Sequence, residues 1–360
     1  MNFCSDNVTG VAPEIMSALV AVNEGAAVPY GDDACTGRLE AKFSELFETD
    51  VVVFPVATGS AANSIALSVM APPYGAIYCH AGAHINQDEC GAPEFYTGGA
   101  KLIDIPGEEG KLSAADLAVM LAKAGAGVVH HVQPAVVSLT QATELGTVYK
   151  VAEVCQIAEV AGEYGLTLHM DGARFANAVV SLNCSPADIT WRAGVDVLSF
   201  GATKNGAMAA EAVIFFDRAL AQTFSYRRKR GGHLFSKMRF LSAQLEAYIS
   251  NELWLNNASH ANRMAAKLAV GLKALPEVQL CAPVEANEIF VQLPEILIEG
   301  LLAEGFRFYR WEQEENSTVV RLVTAFDTKE EDVVAFLAAA QTALAHSRVE
   351  PVVSRKLELI

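Results

Sequence analysis

Positive charge is scarce in this sequence. Its 360 residues carry 26 Lys and Arg against 42 Asp and Glu, a formal charge of −16. Such a chain repels phosphate backbones and anionic membrane surfaces, which argues against nucleic acid and membrane as partners. Charge of either sign is sparse, at 19% of residues, while 52% are hydrophobic, so there is ample apolar surface to bury and no sign of disorder. Closely paired cysteines are also missing. Cys4, Cys35, Cys79, Cys90, Cys155, Cys184 and Cys281 are odd in number and widely spaced, which indicates neither a disulfide framework nor a zinc site. The first residues lack a basic segment followed by an apolar one, so no secretory signal is read and a cytoplasmic protein is expected. From Val51 to Gln87 there is no Asp, Glu, Lys or Arg, yet Pro55, Gly59, Asn63, Pro72, Pro73 and Gly75 break the run into pieces too short to span hydrocarbon. It reads as buried core.

What is present is an alternation of strand and helix. Short β-branched runs at VVVFPV, GAIYCH, GVVHHV, LTLHMD, VDVLSFG and AVIFF predict strands, several apolar on both faces. Between them SAADLAVMLAKAG and VYKVAEVCQIAEVAGEYG have helical spacing and end on Gly. Strands buried on both faces and joined by helices predict an α/β fold with a mostly parallel central sheet. A long amphipathic helix is expected from about Phe235 to Glu252, after which helices mix with fewer strands. The chain length and this change in pattern predict a large domain over residues 1–250, with an N-terminal segment reaching the active site, and a smaller α+β domain over 251–360.

Three candidate sites fall at the carboxyl ends of predicted strands, where open α/β sheets bind ligands. After VVVFPVA come Thr58, Gly59 and Ser60 and then a helix; free N–H groups there suit a phosphate, although Ser60 can equally be an ordinary N-cap. In LTLHMDGARF a strand delivers Asp171, either a turn former or a carboxylate able to keep a pyridinium nitrogen protonated, followed by Arg174, which suits a substrate carboxylate or a surface ion pair. In VDVLSFGATKNGAM a solitary Lys204 sits among small residues, as a solvated loop lysine or a nucleophilic amine. The cluster Arg227, Arg228, Lys229 and Arg230, followed by Gly231 and Gly232, reads either as a solvated face or as a grip on one small anion.

A phosphate-cradling turn, then an Asp, then a Lys some thirty residues on is the layout of fold-type I pyridoxal-phosphate enzymes. Nearly the whole chain resembles the low-specificity L-threonine aldolases of the β-eliminating lyase group, including phenylserine aldolase-like members. The resemblance is carried by SDNVT at Ser5–Thr9, PYGDD at Pro29–Asp33, ATGSAAN, GAH at Gly82–His84, HMDGAR, GATKNGA and VVRLVT at Val319–Thr324. It implies pyridoxal 5'-phosphate held as a Schiff base on Lys204, with Asp171 at the ring nitrogen, His84 over the ring, and Thr58, Gly59 and Ser60 on the phosphate. It implies that Ser5, Arg174 and Arg321 bind the substrate carboxylate. Lys229, a phosphate ligand, and Tyr30, at the rim, would arrive from a neighbouring subunit, so that a homodimer is the minimum and a tetramer usual.

The implied reaction is retro-aldol cleavage of a β-hydroxy-α-amino acid, L-threonine or L-allo-threonine to glycine and acetaldehyde, through an external aldimine and a quinonoid. Phenylserine-type substrates are open to it through the altered segment NQDECGAPEF, and β-elimination on the same scaffold is the alternative. One departure concerns the base. Many members carry a second active-site histidine where SLTQATELG here places Thr143, which leaves His84, a cofactor-activated water or Asp88 as candidates. His130 and His131, read as lying in a strand, are expected to be structural.

Overall fold

The structure is a computed structural model that describes residues 1–313 and 317–349. Seven strands form the larger sheet: β1 (Val52–Val56), β2 (Gly75–His80), β3 (Lys101–Ile105), β4 (Gln133–Thr140), β5 (Thr167–Gly172), β6 (Val197–Gly201) and β7 (Glu211–Phe215). Their order is β1-β7-β6-β5-β4-β2-β3, with β3, β2, β4, β5 and β6 parallel and β7 antiparallel to both of its neighbours. The expected mostly parallel α/β sheet is thus present. Alternate side chains divide between two apolar layers. Tyr78, Val137, Met170, Leu198 and Ile214 pack under one set of helices, and Ile77, Val136, Val197, Val213 and Phe215 face the helix Gly59–Met70.

On that second face β5 is polar, carrying Thr167, His169 and Asp171. His169 is fully buried and bonded to the Ser138 hydroxyl through Nδ1 (2.9 Å) and to the Ser199 hydroxyl through Nε2 (3.0 Å). Burial pushes its pKa down to about 4, so it is neutral in the fold. Two positions on, the same face carries Asp171.

The smaller sheet comprises β8 (Gln279–Leu280), β9 (Glu288–Pro294), β10 (Tyr309–Gln313) and β11 (Ser317–Val323), antiparallel in the order β10-β11-β9-β8. It packs against the helices Glu295–Ala303 and Glu330–Val349 and the C-terminal half of Leu253–Lys273. The N-terminal half of that last helix, with Trp254 and Ala258, belongs to the core of the large sheet. The chain start crosses over too. Phe3 is buried 5.3 Å from the Phe336 ring and 6.4 Å from Phe306, and its N–H donates to Arg307 while its carbonyl accepts from Val323. The first residues therefore lie against the small sheet, which carries Ser5, Asp6 and Asn7 into the cleft between the two cores.

Two expected elements differ. GVVHHV is a chain of turns, with Gly125 and Gly127 at positive φ and Val129 92% exposed, and the strand begins only at Gln133. Its β-branched residues hid a connection set by the two glycines, so His130 and His131 lie in an exposed loop and not in a strand. The helix expected from Phe235 runs from Arg239 to Ile249, and Asn251 and Glu252 at positive φ end it before the next one starts. No helix among the described residues is long and apolar enough to cross a membrane.

Candidate active site

The carboxyl ends of β1, β4, β5 and β6 and the loop after β2 surround two adjoining spaces. The inner one, about 340 Å³, is lined by Thr58, Gly59, Ser60, Asn63, Asp171, Ser199, Thr203 and Glu211. The outer one, about 430 Å³, is lined by Ser5, Asp88, Glu144, Arg174, Tyr309, Trp311 and Arg321. Asn7, His84 and Lys204 line both, so Lys204 stands where the inner cavity opens into the outer cleft. Three sequence segments more than fifty residues apart meet there.

Thr58 caps the helix Gly59–Met70, its hydroxyl accepting from the Ala61 N–H at 3.2 Å. Thr58, not Ser60, is thus the N-cap. The N–H groups of the first turn, which have no partner within the helix, sit at the cavity wall with the positive end of the helix dipole, a natural anion seat. Gly59 has open space where a Cβ would stand. At the other end Asp171, 3% exposed, accepts from Asn63 Nδ2 (2.8 Å) and the Ala173 N–H (3.0 Å). Asn63 Oδ1 is buried without a hydrogen-bond partner.

His84 bonds Glu89 Oε1 through Nδ1 at 2.9 Å. That hydrogen bond raises the pKa of His84, against its partial burial and with help from Asp171 and Glu144. Glu211 is a buried carboxyl that the sequence did not single out. Its Oε2 accepts from the Ala202 N–H at 2.7 Å, and burial pushes its pKa up to about 7, opposed by Thr203 and Lys204.

In the outer cleft Arg321 projects from β11 with its guanidinium 5.4 Å from the Tyr309 ring and 5.0 Å from Trp311. Its Nη2 donates to the Cys4 carbonyl at 3.2 Å, and its Nε is buried with no hydrogen-bond partner among the described residues. Arg174 differs. Its Nε and Nη2 donate to Asp6 at 2.8 and 3.1 Å, and its Nη1 lies 3.0 Å from Glu288. Burial works against all three charges. Arg174 nevertheless stays protonated and Asp6 is held below its ordinary carboxylate value, while Glu288 is pushed up to about 7.

Thr143 does not face the cleft. It is fully buried, with its hydroxyl 2.7 Å from that of Thr147, and its neighbour Glu144 lines the cleft instead. Tyr30 and Lys229 stand apart from both spaces and touch each other, the Lys229 amine 5.1 Å from the Tyr30 ring centre. The basic cluster divides: Arg228 is buried over Phe54 and donates to the Pro55 carbonyl, and Arg227 reaches the Tyr96 carbonyl.

A lysine at a cavity junction, opposite a helix N-terminus and a buried aspartate, defines the class of α/β enzymes that hold a phosphorylated cofactor at the sheet's carboxyl edge. The sequence matches the beta-eliminating lyase family over residues 2–295. It is 47% identical to the low specificity L-threonine aldolase of Pseudomonas aeruginosa, covering 92% of this chain and 94% of that one. The structure superposes on a threonine aldolase from Leishmania major with a TM-score of 0.89 at 31% identity, covering 95% of this chain and 98% of the other. A serine palmitoyltransferase from Sphingomonas wittichii shares the fold at a TM-score of 0.72 and 16% identity, over 98% of this chain and 88% of its own. The chain belongs to the beta-eliminating lyase family, among its low-specificity L-threonine aldolases.

Proposed function

We propose that this enzyme cleaves β-hydroxy-α-amino acids, L-threonine and L-allo-threonine to glycine and acetaldehyde, with pyridoxal 5'-phosphate carried on Lys204. The observation that bears most weight is the position of Lys204 at the meeting point of the two spaces, because one amine there reaches both a cofactor and a substrate. The donor set of the inner cavity fits the cofactor. The first-turn N–H groups at Gly59 and Ser60 suit its phosphate, the buried Asp171 suits a protonated ring nitrogen, and the unpaired Asn63 Oδ1 marks a polar cavity that a polar group completes. When bound, pyridoxal phosphate supplies an electron-withdrawing ring that accepts the electrons of a bond broken at the substrate's Cα.

The chain's own residues then do the following. Arg321 lines the outer cleft with two aromatic rings against its guanidinium, so it takes the substrate carboxylate, with Ser5 beside it. Arg174 has its fork on Asp6, so it supplies positive charge at the cleft wall and its remaining N–H groups. His84, on the boundary of the spaces, receives the β-hydroxyl proton as the Cα–Cβ bond breaks, with Asp88 and Glu144 as carboxylates on the same cleft. The aldehyde leaves, Cα regains a proton, and glycine is released. The open cleft, walled on one side by Trp311 and Tyr309, favours tolerance toward larger aldehydes, including those of phenylserine-type substrates.

The contact between Tyr30 and Lys229, away from this chain's cavity, supports a homo-oligomer in which that pair serves a neighbouring copy, a dimer at least and a tetramer by the family resemblance. A cytoplasmic location and a division near residue 250 complete the reading. Incubation with L-threonine tests the reaction. Glycine and acetaldehyde are expected, whereas 2-oxobutanoate and ammonia would identify β-elimination instead.

A further inference from the structure

Resting on the reading above, we infer that Glu89 is the positioning residue of the reaction: its buried carboxylate fixes the tautomer and aim of His84, and Asn63 joins it to Asp171. Glu89 lies just beyond the short helix His84–Gln87 and is 5% exposed. Its Oε1 receives both His84 Nδ1 and Asn63 Nδ2 at 2.9 Å, and its Oε2 receives the Ser64 hydroxyl at 3.2 Å. The same Asn63 Nδ2 donates to Asp171 at 2.8 Å. The amide cannot be turned round, because its Oδ1 would then face two carboxylates. Its hydrogens also occupy the gap between Glu89 and Asp171, which satisfies both by hydrogen bonding.

The consequence for His84 follows from hydrogen-bond chemistry. Burial raises the pKa of Glu89, and its hydrogen bonds from His84 and Asn63 oppose that by favouring the ionised form; an ionised carboxylate only accepts, so Nδ1 carries the proton and Nε2 is left as the free lone pair. Nε2 has no partner among the described residues, and His84 lines the cleft. A neutral His84 in this tautomer takes a proton at Nε2; the charge that results is stabilised by Glu89, as an imidazolium is in an acid–base–nucleophile triad. The charged groups facing His84 are Glu89, Asp171, Glu144, Asp88 and Lys204. Of these, Glu89 is the one hydrogen-bonded to the ring among the described residues, so it dominates the orientation.

The experiment compares holoenzyme forms of the wild type, Glu89→Gln, Glu89→Ala, His84→Asn and His84→Asn/Glu89→Gln with L-threonine. Borohydride trapping of the cofactor on Lys204 is the separate control; its failure in the wild type sinks the proposed function and not this inference alone. With trapping intact, Glu89→Ala should lose kcat by at least about 10-fold with little change in KM. Glu89→Gln, which still accepts from Nδ1 but has no charge, should recover part of that loss and move the acid limb of the kcat profile to lower pH. In the His84→Asn background Glu89→Gln should cost nothing further. Wild-type kcat and pH profile in both Glu89 variants, or an equal cost with and without His84, overturns the inference. Should the variants fail to fold, nitrogen-15 NMR of histidine-labelled wild-type enzyme decides it: a neutral His84 protonated on Nδ1 is expected, and one protonated on Nε2 overturns it.

Discussion

Arg174 sets one edge of its guanidinium against both oxygens of Asp6, at 2.8 and 3.1 Å, so the fork that the sequence offers to a substrate is engaged within the fold. Asp6 is 1% exposed and also accepts from Asn287. Asp6 therefore ties the chain start to the segment just after β5 and the residue just before β9. Asp6→Asn leaves a buried arginine with only the strongly desolvated Glu288 for charge compensation, and should cost about 3 kcal/mol in denaturant unfolding with the m-value unchanged. The pKa of Asp6 is lowered in the fold, so its contribution is complete above the unfolded carboxylate value and is lost as pH falls through the lower folded one. The variant should lack that part of the acid loss.

Arg321 carries the opposite expectation. It lines the cleft with no ion pair among the described residues and its ring neighbours hold it in place, so removing it should weaken substrate binding more than stability. Arg321→Gln should raise KM for L-threonine by roughly 100-fold, in line with loss of a charge-assisted pair of ~2–3 kcal/mol, and Arg321→Lys should recover only part of it. Steady-state kinetics with each variant measures this.

His169, buried and neutral between Ser138 and Ser199, gives the fold a defined acid sensitivity. Its folded pKa is about 4 against an ordinary value of 6.5, a depressed value, so the stability it carries is complete above about 6.5 and lost as pH falls toward 4. Thermal melts between pH 7 and 4 should show this loss in the wild type and a smaller one in His169→Gln.

The fold was legible because it is written in local patterns, and so was the grouping of Thr58, Asp171 and Lys204 that line the inner cavity. Runs such as GAIYCH and AVIFF are apolar on both faces, Asp171 lies at the carboxyl end of its strand, and Thr58 and Lys204 come two and three residues after theirs. The polar network was not legible, because its members are distant in sequence and look like ordinary residues. Asn63 sits inside a helix of small residues, Glu89 in a turn, Glu211 within a hydrophobic strand, and only the sheet order brings them together. Thr143, expected near the place of a second histidine, does not reach the cleft. Its hydroxyl turns to Thr147 and the carbonyl of Glu109, and that inward turn leaves Glu144 at the cleft. GVVHHV misled for the converse reason, since its β-branched residues sit in turns that Gly125 and Gly127 impose.

The proposed service of Tyr30 and Lys229 to a neighbouring copy predicts complementation between subunits. Lys204→Ala and Lys229→Ala should each be severely impaired alone. Unfolded together and refolded as mixed oligomers, they should regain activity, because some sites then combine Lys204 of one copy with Lys229 of another. An activity assay on the refolded mixture, with each variant refolded separately as the baseline, checks this; no gain in the mixture would place Lys229 outside the shared site.

The central claim is that Lys204 carries the cofactor at the junction of the two spaces. Reduction of the cofactor-loaded enzyme with sodium borohydride, followed by proteolysis and mass spectrometry, tests it most directly. The account predicts one phosphopyridoxyl group, on the peptide containing Lys204, and none on Lys204→Ala. A label on another lysine, or one that persists in Lys204→Ala, would contradict it.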